Sequence, residues 1–312
     1  MITVHSAADA RPFAQDGCIA TIGNFDGLHM GHRRLLARAR QKAEERRMPC
    51  LVVSFWPHPL RVLAAAHAPP LLISREQRLG LFQHLGMDLC LELPFTPTLA
   101  ALSPEEFVRE ALAPLNTREL VIGYDFSLGN KRTGNAAVLA ALGKEYGFAL
   151  EQLDPVIVGD AVVSSTRVRD LLRGGRVWEA RVLLGRFHSI AGPVVHGRGA
   201  GAGLGFPTAN LAVPANVLPK DGVYACRMRT ETAEWPAVTN VGIKPTFGAH
   251  ERTVESFLLD ADLDLYGKHV ELAFVQRLRD EQRFNSPEEL SLRIAQDAKL
   301  ARAVLAMPET RL

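Results

Sequence analysis

The stretch CIATIGNFDGLHMGH, residues 18–32, decides the fold that we predict for this chain. Its first five residues, Cys18 to Ile22, are apolar or β-branched, which is typical of a buried strand. A glycine-containing turn follows, and the residues from Gly31 to Arg47 have a helical composition. A strand that passes through such a turn into a helix is a building block of parallel sheets, so this stretch predicts an α/β fold.

The same alternation of strand-like and helix-like segments continues through the first half of the chain. Serine N-caps at Ser74 and Ser103 and the apolar-striped segment Asn135–Tyr146 predict helices between the strands. The predicted strands are Cys18–Ile22, Leu51–Phe55, Asp88–Leu93, Glu119–Ile122 and Val156–Val158, and two short helices follow at Thr166–Arg173 and Val177–Leu184. This order predicts a Rossmann-like parallel sheet covered by helices over residues 1–186.

The pattern changes after Gly185, where the helical periodicity disappears. Glycine and proline become dense between Gly192 and Pro219. Short alternating segments then follow at residues 222–229, 236–241, 253–259 and 269–278. We therefore expect a small antiparallel β-barrel with a C-terminal helix over residues 187–312. The helix would begin after Ser286 and run to about Leu305.

Composition and charge exclude several classes of protein. Hydrophobic residues make up 47% and charged residues 22% of the 312 residues, which fits a folded chain rather than a disordered one. The net charge of +2 at pH 7 is too small to predict a nucleic-acid-binding surface. We therefore expect small molecules, and no nucleic acid, as partners.

Cysteine usage and hydropathy indicate the compartment. The four cysteines are scattered and form no C-x-x-C pair, so a zinc knuckle or a disulfide framework is disfavoured. No stretch is apolar over the length that spans a bilayer, and residues 1–15 lack the apolar block of a signal peptide. We expect a cytoplasmic protein without a membrane partner, and the sequence leaves a weak homo-oligomer open.

The histidines of the opening stretch form the first candidate site. In open parallel sheets, ligands bind beyond the carboxyl ends of the strands, where helix N-termini favour phosphate. His29 and His32 are three residues apart, so both can lie on one helical face, and Gly31 lets a ligand approach the backbone. Two imidazole donors there could hold phosphate oxygens. Such a pair can also be a surface or metal-binding pair.

A second phosphate-binding element follows at the start of a later predicted helix. Residues 164–169 read SSTRVR, which combines hydroxyl groups and an arginine at a helix N-terminus. On its own this segment could simply cap the helix. Together with the histidine pair, it favours a site that binds a polyphosphate from two sides.

The barrel carries a separate candidate site in the segment GFPTAN, residues 205–210. Thr208 and Asn210 are two residues apart, so on a strand both would offer oxygen ligands on the same face. Hard oxygen ligands suit magnesium, although the tetrapeptide PTAN could also be a turn that bonds to itself. From its position alone, Glu255 is an outward-facing strand residue.

Taken together, these motifs resemble those of the bacterial bifunctional riboflavin kinase/FAD synthetase family over roughly residues 21–302. The motifs that carry the resemblance are GNFDGLHMGH at 23–32, FWPHP at 55–59, IGYDF at 122–126, SSTRVR at 164–169, PTAN at 207–210, NVGIKPTF at 240–247, RTVE at 252–255 and LRDE at 278–281. The resemblance implies an FMN adenylyltransferase domain followed by a riboflavin kinase domain. Its substrates would be ATP, riboflavin and FMN, with Mg²⁺ as the cofactor.

The resemblance also assigns roles in the first domain. It implies that three residues act on the ATP phosphates during adenylyl transfer: His29, His32 and Arg167. Further residues would bind the nucleotide, namely Gly23, Asn24, His58, Asp125, Ser164 and Thr166. Phe126 would bind the flavin.

In the barrel, the resemblance implies that Thr208 and Asn210 bind magnesium and ATP. Glu255 would be the base that takes the proton from the ribityl hydroxyl, and Arg279 and Glu281 would bind the flavin. The glycine-rich segment 197–203 carries only Arg198 where the family usually has more basic residues. This thinned segment leaves open an FMN adenylyltransferase with a weak or inactive kinase barrel. A non-catalytic flavin sensor or carrier is a separate alternative.

Overall fold

The computed structural model describes residues 1–196, 206–212, 216–246, 249–261 and 263–311, with the backbone alone for 244–246 and 249–251. The chain divides into two compact units. The first comprises Met1–Pro69 and Arg75–Val163, and the second comprises Pro70–Ser74 and Ser164–Leu312. The short helices predicted before residue 186 thus group with the barrel. The assignment of activities to residues 1–186 and 187–312 stays a prediction.

A six-stranded parallel sheet forms the centre of the first unit. Its strands are β1 Ile2–Val4, β2 Cys18–Ile22, β3 Cys50–Trp56, β4 Leu89–Pro94, β5 Thr117–Gly123 and β6 Ala149–Leu153, in the order β1-β4-β3-β2-β5-β6. All five residues of β2 are buried, because β3 and β5 flank the strand in the sheet and helices such as α2, Met30–Arg46, cover its faces. The predicted parallel sheet is confirmed.

The prediction of a sheet strand at Val156–Val158 is wrong. Ile157–Val158 forms a two-residue strand, β7, that pairs antiparallel with β8, Ala161–Val162, outside the main sheet. The last sheet strand is β6, which pairs only with β5 among the described strands. Its position at the sheet edge leaves residues such as Ala149 and Gln152 exposed, so its sequence lacks the continuous apolar pattern of a buried strand.

Three helices of the first unit begin where the sequence predicts, after Ser74, Ser103 and Asn135. The helices are α1 Ala7–Ala10, α2 Met30–Arg46, α3 Pro59–Leu63, α4 Arg75–His84, α5 Pro97–Ala101, α6 Pro104–Phe107 and α7 Ala136–Tyr146. Ser103 and Glu106 form a reciprocal capping box, and α6 continues into a π-helical turn at Val108–Leu112. The helices and the sheet enclose a core that includes Ile22, Leu91 and Leu120.

The second unit is a closed antiparallel barrel, as the sequence predicts. Its strands are β9 His188–Val195, β10 Thr208–Leu211, β11 Gly222–Arg229, β12 Glu234–Thr246, β13 Ala249–Leu258 and β14 His269–Arg279, in the closed order β10-β13-β12-β11-β14-β9. Helices α8 Ser165–Arg173 and α9 Val177–Leu184 precede it, and α10 Pro287–Leu305 follows it. Ala298, Ala301 and Leu305 of α10 pack on Val238 of the barrel. None of the helices in the described ranges is long and apolar enough to cross a membrane.

Candidate active sites

The candidate residues of the first unit lie at the carboxyl ends of three adjacent strands. β2 ends before Gly23 and Asn24, β3 ends before His58, and β5 ends before Asp125 and Phe126. The chain passes from β2 to β3 on one side and returns to β5 on the other. This is a topological switch point, the position where open α/β sheets bind their ligands.

The two histidines form a stacked pair at the start of α2. His29 is the N-cap residue, and its Nδ1 accepts a hydrogen bond from the backbone N–H of His32 at 3.4 Å. The ring centroids are 3.7 Å apart and the rings are inclined by 18°. Because Nδ1 of His29 is an acceptor, the ring proton of neutral His29 is on Nε2, which leaves that N–H as a donor.

The electrostatics of the pair keep His32 uncharged. Burial penalises the imidazolium and the neighbouring His29 repels a second positive charge, so the pKa of His32 lies well below its ordinary value. Its Nδ1 is buried and has no hydrogen-bond partner among the described residues. At neutral pH the ring can therefore present one N–H as a neutral donor.

Close ring contacts explain the glycines on either side of this turn. A Cβ atom at Gly23 would lie 3.1 Å from the Phe25 ring, and one at Gly31 would lie 3.1 Å from the His29 ring. Phe25 is fully buried and meets His32 edge-on, with the ring centroids 5.4 Å apart. The sequence attributes Gly31 to close approach of a ligand, and the structure adds that Gly31 makes room for the His29 ring.

The other predicted residues of this unit differ in burial. His58 is buried and is the N-cap of α3, where its Nδ1 accepts from the Leu60 N–H at 3.2 Å. Asp125 has an exposed side chain, and its carbonyl oxygen accepts from Nη2 of Arg132 at 3.4 Å. Phe126 is partly buried against the hydrophobic core. The carboxylate of Asp125 is thus accessible to a ligand, whereas Phe126 can offer only part of its ring.

The predicted Ser164, Thr166 and Arg167 belong to the second unit, at the start of α8. Ser164 is the N-cap, and its Oγ accepts from the Arg167 backbone N–H at 3.2 Å. Thr166 is exposed in the first turn and Arg167 is partly buried. The first-turn N–H groups and the helix dipole at this end can attract an anion. The segment therefore caps the helix and keeps features that suit phosphate.

The barrel brings the predicted kinase residues into a row across three strands. Asn210 on β10 lies directly opposite Glu255 on β13, and Glu255 lies directly opposite Asn240 on β12. Directly opposed residues in antiparallel strands share a face and have Cβ atoms roughly 4.5–5.5 Å apart. Thr208 lies on the same face, opposite Phe257. These oxygen-bearing side chains can therefore act on one ligand.

Glu281 adds a second carboxylate beside this row. Its Oε1 accepts from Nδ2 of Asn240 at 3.2 Å. A Cβ atom at Gly242 would overlap the Glu281 carboxylate, so this glycine leaves the space that the carboxylate occupies. In the sequence, Asn240 stands out only as part of the motif NVGIKPTF, because a cross-strand neighbour cannot be read from a single segment.

Arg279 is held by a carboxylate of α10. Its Nε donates to Oδ2 of Asp297 at 2.9 Å and its Nη2 lies 2.8 Å from the same oxygen. Asp297 is 3% exposed. The guanidinium also lies over the Phe284 ring, 5.7 Å from the centroid. Arg279 therefore joins the end of β14 to α10, a contact that the sequence does not predict.

A pocket of about 300 Å³ opens next to Thr208 in the barrel. It is lined by Val194, Pro207, Thr208, Ala209, Ser256, Leu258, Ala261, Leu263, Asp264, Leu265 and Tyr266. The lining is largely apolar with a few polar groups, which is the usual character of a small-molecule site. The predicted glycine-rich segment with Arg198 lies outside the described residues.

Comparison with known proteins gives the family. A family model described as FAD synthetase matches residues 12–167, and one described as riboflavin kinase matches residues 184–305. The bifunctional riboflavin kinase/FMN adenylyltransferase of Escherichia coli (strain K12) is 37% identical over 301 residues, which is 96% of this chain and 95% of that protein. The chain belongs to this bifunctional family. The enzyme of the same name from Pseudomonas fluorescens is 39% identical over 292 residues, covering 93% and 94% of the two chains.

Both halves of this bifunctional family are therefore present in one chain. The predicted family and enzyme class are confirmed, and the bifunctional interpretation holds over the alternative with a degraded barrel. A solved structure from Streptococcus pneumoniae, described as a macrolide-efflux protein, has the same fold with a TM-score of 0.85. It is 28% identical and the match covers 96% of this chain and 98% of that one.

Proposed function

We propose that the protein uses ATP to phosphorylate riboflavin to FMN, and uses a second ATP to adenylylate FMN to FAD. In the first step the ribityl 5′-hydroxyl attacks the γ-phosphorus and ADP leaves. In the second step an FMN phosphate oxygen attacks the α-phosphorus and pyrophosphate leaves. The observation that carries the proposal is that the first unit holds the stacked pair of His29 and His32, and the barrel holds the row of Asn210, Glu255 and Asn240.

For adenylyl transfer, we assign the paired imidazoles to the phosphates of ATP. Neutral His32 and the Nε2–H of His29 donate hydrogen bonds that stabilise the negative charge developing on the phosphate oxygens. Gly23, Asn24, His58 and Asp125 line the nucleotide site at the three strand ends, and Phe126 contacts the flavin.

We also assign a role in binding ATP phosphates to residues at the start of α8, as the family resemblance implies. Thr166, the first-turn N–H groups and the guanidinium of Arg167 offer donors that suit phosphate oxygens. Ser164 holds the turn in the required geometry through its bond to the Arg167 N–H. No covalent intermediate is required, because positioning and charge stabilisation can supply the rate.

For the kinase step, we assign Glu255 as the general base. A carboxylate can take the hydroxyl proton when it lies within hydrogen-bond reach of it. Thr208 and Asn210 would hold magnesium, which neutralises phosphate charge when bound. These residues fit magnesium, because the Thr, Asn and Glu side chains of the row offer the hard oxygen ligands that it prefers.

Flavin binding in the barrel is assigned to Glu281 and Arg279. Glu281 accepts a hydrogen bond from Asn240, which lies directly opposite Glu255. This position supports a direct contact between Glu281 and the ribityl chain. Arg279, the last residue of β14, is held by its bond to Asp297 of α10. We further propose residues 1–186 for adenylyl transfer, residues 187–312 for the kinase, and a cytoplasmic location. Sedimentation experiments test whether the protein forms a weak homo-oligomer.

Product analysis with a matched pair of variants tests the proposal. Wild-type protein with riboflavin, ATP and magnesium should give FMN and FAD, separated by chromatography. His29→Ala should give FMN only, whereas His67→Ala, which changes an exposed histidine of the same unit, should give both. Folded wild-type protein that makes neither product would end the proposal. Loss of both products in His29→Ala would show that the two sites are not separate.

A further inference from the structure

Arg78 of α4 connects the ends of the two strands that lead into the adenylyl-transfer site. Its side chain is 6% exposed. Nη1 donates to the carbonyl oxygen of Asn24 at 3.1 Å, and Nη2 donates to the carbonyl oxygen of Phe55 at 3.1 Å. Asn24 lies in the loop that continues to His29, and Phe55 lies three residues before His58. One guanidinium therefore bonds to both segments that carry candidate histidines.

Arg78 supplies hydrogen-bond donors to two backbone carbonyl groups. The pairing of β2 with β3 ends at Ile22 opposite Val53, and beyond this point the two chains separate. There the partly buried carbonyl groups of Asn24 and Phe55 accept from donors outside the strand pair. Arg78 supplies them from α4, so the spacing of the two loops depends on its side chain.

The charge of Arg78 is balanced by Glu92 of β4, which also binds a second arginine. Glu92 is 2% exposed, and its Oε1 accepts from Nη2 of Arg78 at 2.9 Å. Its Oε2 accepts from Nε of Arg75 at 2.7 Å and from Nη2 at 2.5 Å. Within the described residues, the hydrogen bonds of Arg75 go to Glu92. Arg75 therefore already provides a counter-charge, and neutralisation of Glu92 does not explain the two carbonyl contacts of Arg78.

We propose that Arg78 is a positioning residue for adenylyl transfer, which sets the distance between the loop carrying His29 and the turn carrying His58. This inference rests on the proposed function of that site. The planar guanidinium is suited to the task because its donors form a rigid fork that can bridge two carbonyl oxygens and a carboxylate at once. A lysine would keep the charge but present its donors from a single nitrogen.

Two lysine variants separate positioning from charge. Arg78→Lys loses the bridge between the two loops, and Arg75→Lys is the matched control because it loses a fork to Glu92 but no contact to either loop. Single-turnover formation of FAD from FMN and ATP should be measured with each protein. Its amplitude reports the folded active fraction, and its rate constant reports the geometry of the site. FMN formation from riboflavin in the same preparations is the internal control.

We expect the rate constant of Arg78→Lys to fall by about 10-fold to 100-fold, since small misplacements of reacting groups have effects of this size. Its amplitude and its FMN formation should stay near wild type, and Arg75→Lys should match wild type throughout. A purely structural role would lower the amplitude and leave the rate constant unchanged, which would overturn the inference. So would an equal loss of rate in both variants. Absence of FAD with wild-type protein would instead overturn the proposed function itself.

Discussion

At the residue scale, Glu255 has the most specific chemical role that we assign. Replacing it by glutamine keeps the shape but removes the base, so FMN formation should fall by about 10²–10⁴-fold. FAD formation from supplied FMN should be unchanged. Glu231→Gln, at an exposed position in the β11–β12 turn, is the control and should leave both rates unaltered. Steady-state assays with each flavin check the prediction, and wild-type FMN formation in Glu255→Gln would contradict it.

A second residue-scale prediction concerns pH and His188 in the barrel. His188 is 1% exposed, and burial lowers its pKa to about 4. In the unfolded chain the pKa returns to about 6.5, so between these values the unfolded state binds the extra proton. Stability is therefore fully present above about pH 6.5 and declines as the pH falls toward 4, by about 3 kcal/mol in total.

Urea unfolding of the barrel at about pH 7 and about pH 5 tests this dependence. His188→Gln should lose part of the pH dependence of the free energy of unfolding, whatever its stability at neutral pH. His269→Gln changes an exposed histidine of β14 and should keep the wild-type dependence. An unchanged dependence in His188→Gln would show that other groups cause it.

At the scale of the element, the start of α2 depends on the absence of a side chain at Gly31. Gly31→Ala places a Cβ 3.1 Å from the His29 ring, so the ring must shift and the rate of FAD formation should fall by about 10-fold or more. Gly80→Ala in α4 is the matched control, because no described atom beyond the local helix backbone and the chain neighbours lies within 4 Å of the added Cβ. It should keep full activity and gain up to about 1 kcal/mol of stability from helix propensity. Equal activities in the two variants would refute this role of Gly31.

The attachment of α10 to the barrel gives the next prediction. Asp297 is buried with Arg279, so Asp297→Ala leaves a buried guanidinium without its carboxylate and should cost roughly 3–5 kcal/mol. Asp260→Ala, which removes the exposed partner of Arg302 on the same helix, should change stability much less. Chemical unfolding monitored by circular dichroism measures both. Similar losses would mean that the burial of Asp297 does not matter.

How far the elements could be predicted depends on how local their signals are. Strand, glycine turn and helix follow one another without interruption between Cys18 and Arg46, so the sequence predicts both β2 and the histidine site after it. The row of Asn210, Glu255 and Asn240 depends instead on the register of three strands that are distant in sequence. From its own segment Glu255 looks like an ordinary surface residue, and only the family resemblance assigns it a role.

At the scale of the whole molecule, we expect the two activities to complement each other between chains. His29→Ala should stop at FMN, and Glu255→Gln should make no FMN, so neither should convert riboflavin to FAD. A mixture of the two should restore FAD, because FMN released by one chain can bind the intact site of another. Chromatography of the mixture against each variant alone checks this. A mixture that accumulates FMN without FAD would show that the second site does not accept FMN from solution.

The row of opposed side chains across β10, β13 and β12 has a consequence for refolding experiments. Side chains alternate between the two faces of a strand, so a slip of β13 by a single residue would bring Ser256 into line with Asn210 and Asn240 and turn Glu255 to the opposite face. A misregistered barrel could still show native-like circular dichroism, yet it could not phosphorylate riboflavin. Recovered kinase turnover is therefore a more stringent indicator of correct strand alignment than any spectroscopic measure of sheet content.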